Sequence, residues 1–193
     1  MSEDGNNTIK IVAGVIGCGC LATLLIGGTV FGLLGFVGYN SFTKFEANAK
    51  SAEAALNLKM ISDGASAYYQ SEHFDDKGSP LPSQFPTADG TFKSRKKAKL
   101  PSDVPKGTKF DPGYEVWEKE PWKALRFNTY GPIHYRYSYK PNNKENAFET
   151  FAEGDLDGDG VTSKYMIKGS ADADSGELST TPVFLEDPEK EFE

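Results

Sequence analysis

The chain has 193 residues, with 21 Lys and Arg against 28 Asp and Glu, and its net charge of −7 argues against a protein built to bind the phosphate backbone of nucleic acid. Hydrophobic residues make up 38% of the sequence, which would suit one modest soluble domain if they were spread evenly. They are not: no charged residue occurs from Ile11 to Thr43, and what remains suffices for one small domain rather than two sizeable cores.

Residues 1–10 form a short polar tail, opening on the acidic stretch Met1-Ser2-Glu3-Asp4-Gly5. Residues 11–40 read as a transmembrane helix, because at about 1.5 Å per residue the run exceeds the roughly 20 residues that cross a hydrocarbon core. An acidic start and so long an apolar run do not suit a cleaved secretory signal, and the small-x-small triplet Ala47-Asn48-Ala49 lies well past the run. Val15-Ile16-Gly17-Cys18 is similar to a lipobox, but a full span follows Cys18, which favours Cys18 and Cys20 as small buried residues. No Cys follows Cys20, so the downstream part can carry no disulfide. Within the span, Gly28 and Gly32 make a G-x-x-x-G spacing that lets helices approach closely.

Residues 41–73 continue the helix as an amphipathic segment without Pro. Phe42, Phe45, Ala49, Ala52, Leu56 and Met60 recur at spacings of three and four and define one face, which is expected to cover the sheet that follows. Gly64 weakens the pattern, but Ala65, Tyr68 and Tyr69 keep the spacing. Residues 74–113 are rich in Pro, Gly and Lys and read as a long connecting loop; the basic cluster Lys93, Arg95, Lys96, Lys97 and Lys99 reads as a solvated part of it, with lipid headgroups, an acidic partner or nucleic acid as the alternatives it could meet.

Residues 114–193 change to period two. Tyr135, Tyr137 and Tyr139 alternate with polar neighbours, and further strands are expected at Leu125 to Asn128, Ala147 to Gly154, Ser163 to Lys168 and Pro182 to Leu185. Turn clusters at Asn142-Asn143, Asp157-Gly158-Asp159-Gly160 and Asp172 to Gly176 join them into an antiparallel meander. The fold class is therefore α+β: a long N-terminal helix, its lower half transmembrane, packed on a C-terminal antiparallel β-sheet.

The stretch Phe42-Thr43-Lys44-Phe45-Glu46-Ala47-Asn48-Ala49-Lys50-Ser51-Ala52-Glu53-Ala54-Ala55-Leu56-Asn57-Leu58-Lys59, followed by Tyr68-Tyr69, resembles the post-membrane helix of bacterial type IV pilins. Trp122 to Tyr139 and then Glu153-Gly154-Asp155-Leu156-Asp157-Gly158-Asp159-Gly160 resemble the C-terminal sheet of pilin-like proteins and of the pseudopilins of type II secretion. The resemblance implies a single-pass protein of the bacterial inner membrane with its C-terminal domain on the outer side, meeting other pilin-like subunits or an assembly platform through its N-terminal helix. Gly28, Gly32, Phe42, Phe45, Ala49, Ala52 and Leu56 are the helix-packing candidates. Processing would fall at Gly5-Asn6, where Asn6 stands in place of the usual Phe and Lys10 in place of the usual Glu. That departure points to a retained pilin-like protein or a minor subunit rather than a major pilin. Lysine counting, with Lys10 on one side and Lys44, Lys50 and Lys59 on the other, mildly favours the opposite orientation.

Asp155, Asp157 and Asp159 open a D-x-D-x-D-G loop, the start of a calcium-binding pattern in which carboxylates supply hard oxygen ligands. The twelfth position, normally a bidentate Glu, is Met166, so a tight hairpin turn is the competing reading. His73 and His134 are isolated in the sequence, and no nucleophile elbow, zinc-protease motif or phosphate-binding glycine loop occurs, so no enzyme is expected. An anchored binding module is the alternative to a filament component.

Overall fold

The computed structural model describes residues 48–187. The expected span at 11–40 and the candidate residues Gly5, Asn6, Gly28, Gly32, Phe42 and Phe45 lie outside them; among the described residues, no helix is long and apolar enough to cross a membrane. The architecture is α+β, one helix packed against antiparallel β-structure.

Helix α1 covers 48–70, a stretch with six Ala, the best helix former, and no Pro. Its buried stripe is Ala54, Asn57, Leu58, Ile61, Ser62, Ala65 and Tyr69. This corrects the face expected from spacing. Ala49 and Ala52 are exposed, Leu56 is 63% exposed and Met60 40%, on the side away from the sheet. Both sets obey helical spacing, because this helix carries apolar residues on two sides, and periodicity alone cannot choose between them.

The helix ends where donors converge on one carbonyl. Ser71 N–H (3.1 Å), Ser71 Oγ (2.7 Å) and His73 Nε2 (2.9 Å) all meet Tyr68 O, replacing the missing helical partner. The chain then makes a small hairpin, β1 (His73–Phe74) with β2 (Pro80–Leu81). Asp75 Oδ1 accepts from the N–H groups of Lys77 and Ser79, and Gly78 takes the positive φ of 77° that this turn requires.

The main sheet comprises β3 (Ala98–Leu100), β4 (Arg136–Asn142), β5 (Ala147–Gly154), β6 (Ser163–Ala171), β7 (Leu178–Thr180) and β8 (Phe184–Leu185). Strands β3 to β7 lie side by side in chain order and all pairs are antiparallel, with β8 also on β6, so the expected meander is present. The 74–113 stretch is not wholly loop as expected: β3 pairs with Tyr137 to Tyr139 of β4. Asn143 ties down the rest. Its Oδ1 accepts Phe85 N–H (2.7 Å), and its Nδ2 donates to Phe85 O (3.0 Å) and Phe92 O (3.2 Å).

Alternation puts Tyr137 and Tyr139 of β4, with Tyr135 just ahead of it, on the face turned to α1, where all three are fully buried. Burial is the main force raising their phenol pKa values, with the charge of Glu53 adding to it at Tyr137. Glycines on the same face make room for rings. A β-carbon on Gly154 would meet the Tyr135 ring, and one on Gly169 the Phe148 ring. Phe148 in turn contacts Phe85 (5.0 Å between ring centres) and Tyr139 (5.8 Å), and Phe85 contacts Tyr69 of α1 (4.6 Å).

The strand expected at Leu125 to Asn128 is absent. Residues 117–126 form successive turns, and Arg126 sits at φ 52°. Leu125 and Phe127 are buried because these turns fold an aromatic cluster, Trp117, Trp122 and Phe127, with ring centres 5.1 to 5.8 Å apart. Gly64 of α1 receives the Leu125 main chain directly against the helix, a contact that any side chain at 64 would block.

Candidate functional site

Two constellations of polar side chains stand out, one expected and one not. The expected one is the β5–β6 connection. Asp155 is buried, and its carboxylate accepts the N–H groups of Gly158 (2.8 Å) and Gly160 (3.1 Å), while its main-chain carbonyl accepts from Gly107 N–H (2.7 Å). Gly158 and Gly160 have φ of 84° and 97°, so the turn closes only with glycine there. Asp157 Oδ1 accepts Asp159 N–H (3.2 Å), and Asp159 Oδ1 accepts Val161 N–H (2.7 Å).

One carboxylate oxygen from each of Asp155, Asp157 and Asp159 lies within 4.8 Å of the others. Three carboxylates at that spacing could hold a hard divalent cation such as calcium, although the strand residue Met166 brings no oxygen to the place of the missing Glu. The loop is at the same time a hairpin turn whose Asp carboxylates accept its own main-chain N–H groups, braced by Gly107 from outside, so both readings of the motif have a structural basis.

The unexpected constellation joins α1 to the start of β4. Glu53 Oε1 accepts the His134 N–H (3.1 Å) and the Tyr137 hydroxyl (2.9 Å), and Glu53 Oε2 lies 2.7 Å from His134 Nδ1. A carboxylate can only accept, so the His134 ring presents its Nδ1 proton to Glu53. Asn57 Nδ2 donates to the Tyr137 hydroxyl (2.7 Å) and completes the group. In the sequence His134 stands isolated, because its partner is 81 residues away. The only local signal was that Glu53 and Asn57 stand four apart on one helix face. The group's geometry suits a latch between helix and sheet, since its carboxylate is wholly engaged in fixing protein groups.

The remaining histidine, His73, stacks on Tyr68 with 4.3 Å between ring centres, at the end of α1. A surface cavity of about 300 Å³ contains two carboxylates, Glu145 and Glu149, but each is ion-paired, Glu145 with Arg95 (3.1 Å) and Glu149 with Lys140 (3.3 Å), and neither histidine lines it. Of the helix-packing candidates within the described residues, Ala49, Ala52 and Leu56 form an exposed stripe that Met60 extends.

Comparison with protein-family models, curated proteins and solved structures finds no match to this chain.

Proposed function

We propose that the chain is a membrane-anchored, pilin-like structural protein of a type IV pilus or type II secretion-type system, acting as a minor subunit or assembly factor rather than as an enzyme. The observation that carries this reading is the two-sided use of α1. One side is held against a meander sheet by Ala54, Leu58, Ile61 and Ala65, while Ala49, Ala52, Leu56 and Met60 remain exposed on the other. Upstream of α1, no Pro interrupts the sequence back to the apolar run of 11–40. A helix with an apolar outer stripe, preceded in the sequence by an apolar run long enough to span, suits lateral packing against other helices at and above a membrane.

Intact mass and N-terminal sequencing of the protein from its native membrane, with filament shearing, test the reading. A mature chain starting at Asn6 and found in the sheared fraction supports a filament subunit. Retention of residues 1–5 supports an anchored pilin-like factor. A lipid-modified start at Cys18 refutes both.

A second reading, an anchored envelope module that takes calcium, is favoured by the convergence of Asp155, Asp157 and Asp159. It predicts no recovery with filaments and a calcium-dependent partner.

A further inference from the structure

The basic residues of 93–99 have no part in the reading above, and the fold relocates two of them. Lys99 pairs in register with Ser138, and strand alternation places Lys97 and Lys99 on the sheet face turned away from α1. By the same registers Arg136, Lys140, Lys164 and Lys168 share that face. The ammonium groups of Lys97 and Lys164 lie 4.3 and 4.8 Å from the centre of the Phe151 ring. Three carboxylates come there, against six cations, and all three are engaged; Glu186, just past β8, holds Lys164 (2.6 Å). Glu153 holds Arg136 (2.8 Å) and Lys97 (3.8 Å), and Glu149 holds Lys140 (3.3 Å) and Lys168 (4.0 Å). Lys97 is kept below its ordinary pKa by burial first, opposed by Glu153 and helped by the neighbouring cations Lys164, Lys99 and Arg136. On a chain whose net charge is −7, this face is a cationic surface.

Complementary charge lies at one end of the same sheet. The β6–β7 turn carries Asp172, Asp174 and Glu177, all exposed. Asp172 Oδ1 accepts from Asp174 N–H (3.1 Å), Ser175 N–H (2.7 Å) and Ser175 Oγ (2.9 Å), which fixes the shape of the turn and holds the Asp172 carboxyl below its ordinary pKa. A uniform polyanion fits the cationic face poorly, because Glu149, Glu153 and Glu186 stand among its lysines and would repel a phosphate chain. A compact turn with a few separated carboxylates fits such a mixed pattern.

We propose that the outer face of the sheet docks the acidic turn Asp172–Glu177 of a second copy of this chain. The two surfaces are different, so the contact is head-to-tail and propagates instead of closing into a dimer. It deepens the structural-subunit reading above by naming which surfaces of the soluble part meet.

The test is a charge swap in the full chain, purified in detergent micelles and followed by sedimentation velocity and amine–carboxylate cross-linking. With Glu149, Glu153 and Glu186 counted against the six cations, Lys99→Glu with Lys168→Glu takes the sheet face from three net positive charges to one net negative; Asp174→Lys with Glu177→Lys makes the turn basic. All four positions are exposed, and thermal melting of each variant verifies that it folds. The unmodified chain is expected to associate at low salt, and each double variant to associate about tenfold more weakly or less. An equimolar mixture of the two variants is expected to restore association, because each supplies the surface that the other has inverted. High salt, which shortens the screening length below about 10 Å, is expected to dissolve the contact.

Association unaffected by either reversal, its absence from the unmodified chain, or failure of the mixture to restore it overturns the proposal. Loss of phosphatidylglycerol-vesicle binding by the lysine variant, without restoration on mixing, would assign the face to an anionic lipid surface and equally overturn it. Filament shearing separates the two levels. A chain that fails the swap but shears with filaments keeps the pilin-like reading and loses this contact. A chain that passes the swap but never shears with filaments keeps this contact and loses the filament-subunit form of that reading.

Discussion

Replacing Gly64 with Ala tests whether the Leu125 main chain docks directly on the helix. In a solvent-facing helix this substitution stabilises by about 1 kcal/mol, since Ala is the better helix former. At Gly64 the new β-carbon would overlap the Leu125 carbonyl oxygen and stand 2.9 Å from its carbonyl carbon and 3.2 Å from its Cα. Those atoms cannot swing aside as a flexible side-chain tip would. Leu125 N–H donates to Pro121 O (2.9 Å), Phe127 N–H donates to Trp122 O (3.0 Å), and both the Leu125 and Phe127 side chains are buried. Overpacking costs about 1–3 kcal/mol, and a main-chain obstacle puts this case at the upper end. Offsetting the gain in helix propensity leaves a net loss of about 2 kcal/mol. For a domain of this size that corresponds to a drop of roughly 4–8 °C in Tm. The assay is thermal unfolding of the full chain in detergent, followed by near-ultraviolet circular dichroism of Trp117 and Trp122. Ala67→Gly, at an exposed position of the same helix, calibrates propensity alone and is expected to lose about 1 kcal/mol. A Tm for Gly64→Ala equal to or above that of the unmodified chain, with Ala67→Gly lowered as expected, refutes the packing argument.

Removing the Glu53 carboxylate as Glu53→Ala leaves the Tyr137 hydroxyl and the His134 N–H without their acceptor, and is expected to lower stability by about 3 kcal/mol in urea titration, against about 1 kcal/mol for Tyr137→Phe. A loss for Glu53→Ala no larger than that of an ordinary surface substitution would contradict the latch. Tyr135, Tyr137 and Tyr139 have folded-state pKa values raised above the unfolded value of about 10, so their contribution is fully present below pH ~10 and is lost as pH rises beyond it. The loss approaches about 1.4 kcal/mol per pH unit for each ring, and tyrosinate absorbance from these three is expected only as the chain unfolds. Their ionisation at the ordinary phenol pKa of about 10 with the fold intact would refute that burial. Calcium titration by calorimetry is expected to give a dissociation constant on the order of 10⁻⁴–10⁻³ M, as suits an incomplete oxygen set. The heat should vanish in the Asp157→Asn, Asp159→Asn double variant; heat that persists would exclude the loop as its source.

Much of the sheet was legible in the sequence. β5 runs from Ala147 to Gly154 as its alternation indicated, and the Asp-Gly-Asp-Gly cluster forms the turn its chemistry demands. Short elements were not legible: β3 and β7 have three residues each, too few to display a period, and they exist because long neighbours offer them open edges. Leu125 to Asn128 misled because buried apolar residues in turns look like those in a strand when the aromatic cluster that buries them is assembled from elsewhere. Within the candidate site, the Asp155 loop is continuous in sequence and could be read, whereas Glu53 and His134 could be joined only by docking.

By itself, the sequence determined the apolar run, the helix that follows it, the two-residue rhythm of the central strands and the antiparallel order in which turns connect them. Each of these depends on backbone geometry repeated over neighbouring residues, which spacing records directly. The tertiary structure alone decided that Ala54, Leu58 and Ile61, and not Ala52 and Leu56, face the sheet. It also decided that Gly64 makes way for a main chain 61 residues on, and that lysines from a Pro-rich stretch join those of two distant strands on one surface. Those outcomes depend on which surfaces meet when distant segments dock, and a helix with apolar residues on two sides leaves that choice to shape and to the hydrogen bonds its polar neighbours can make.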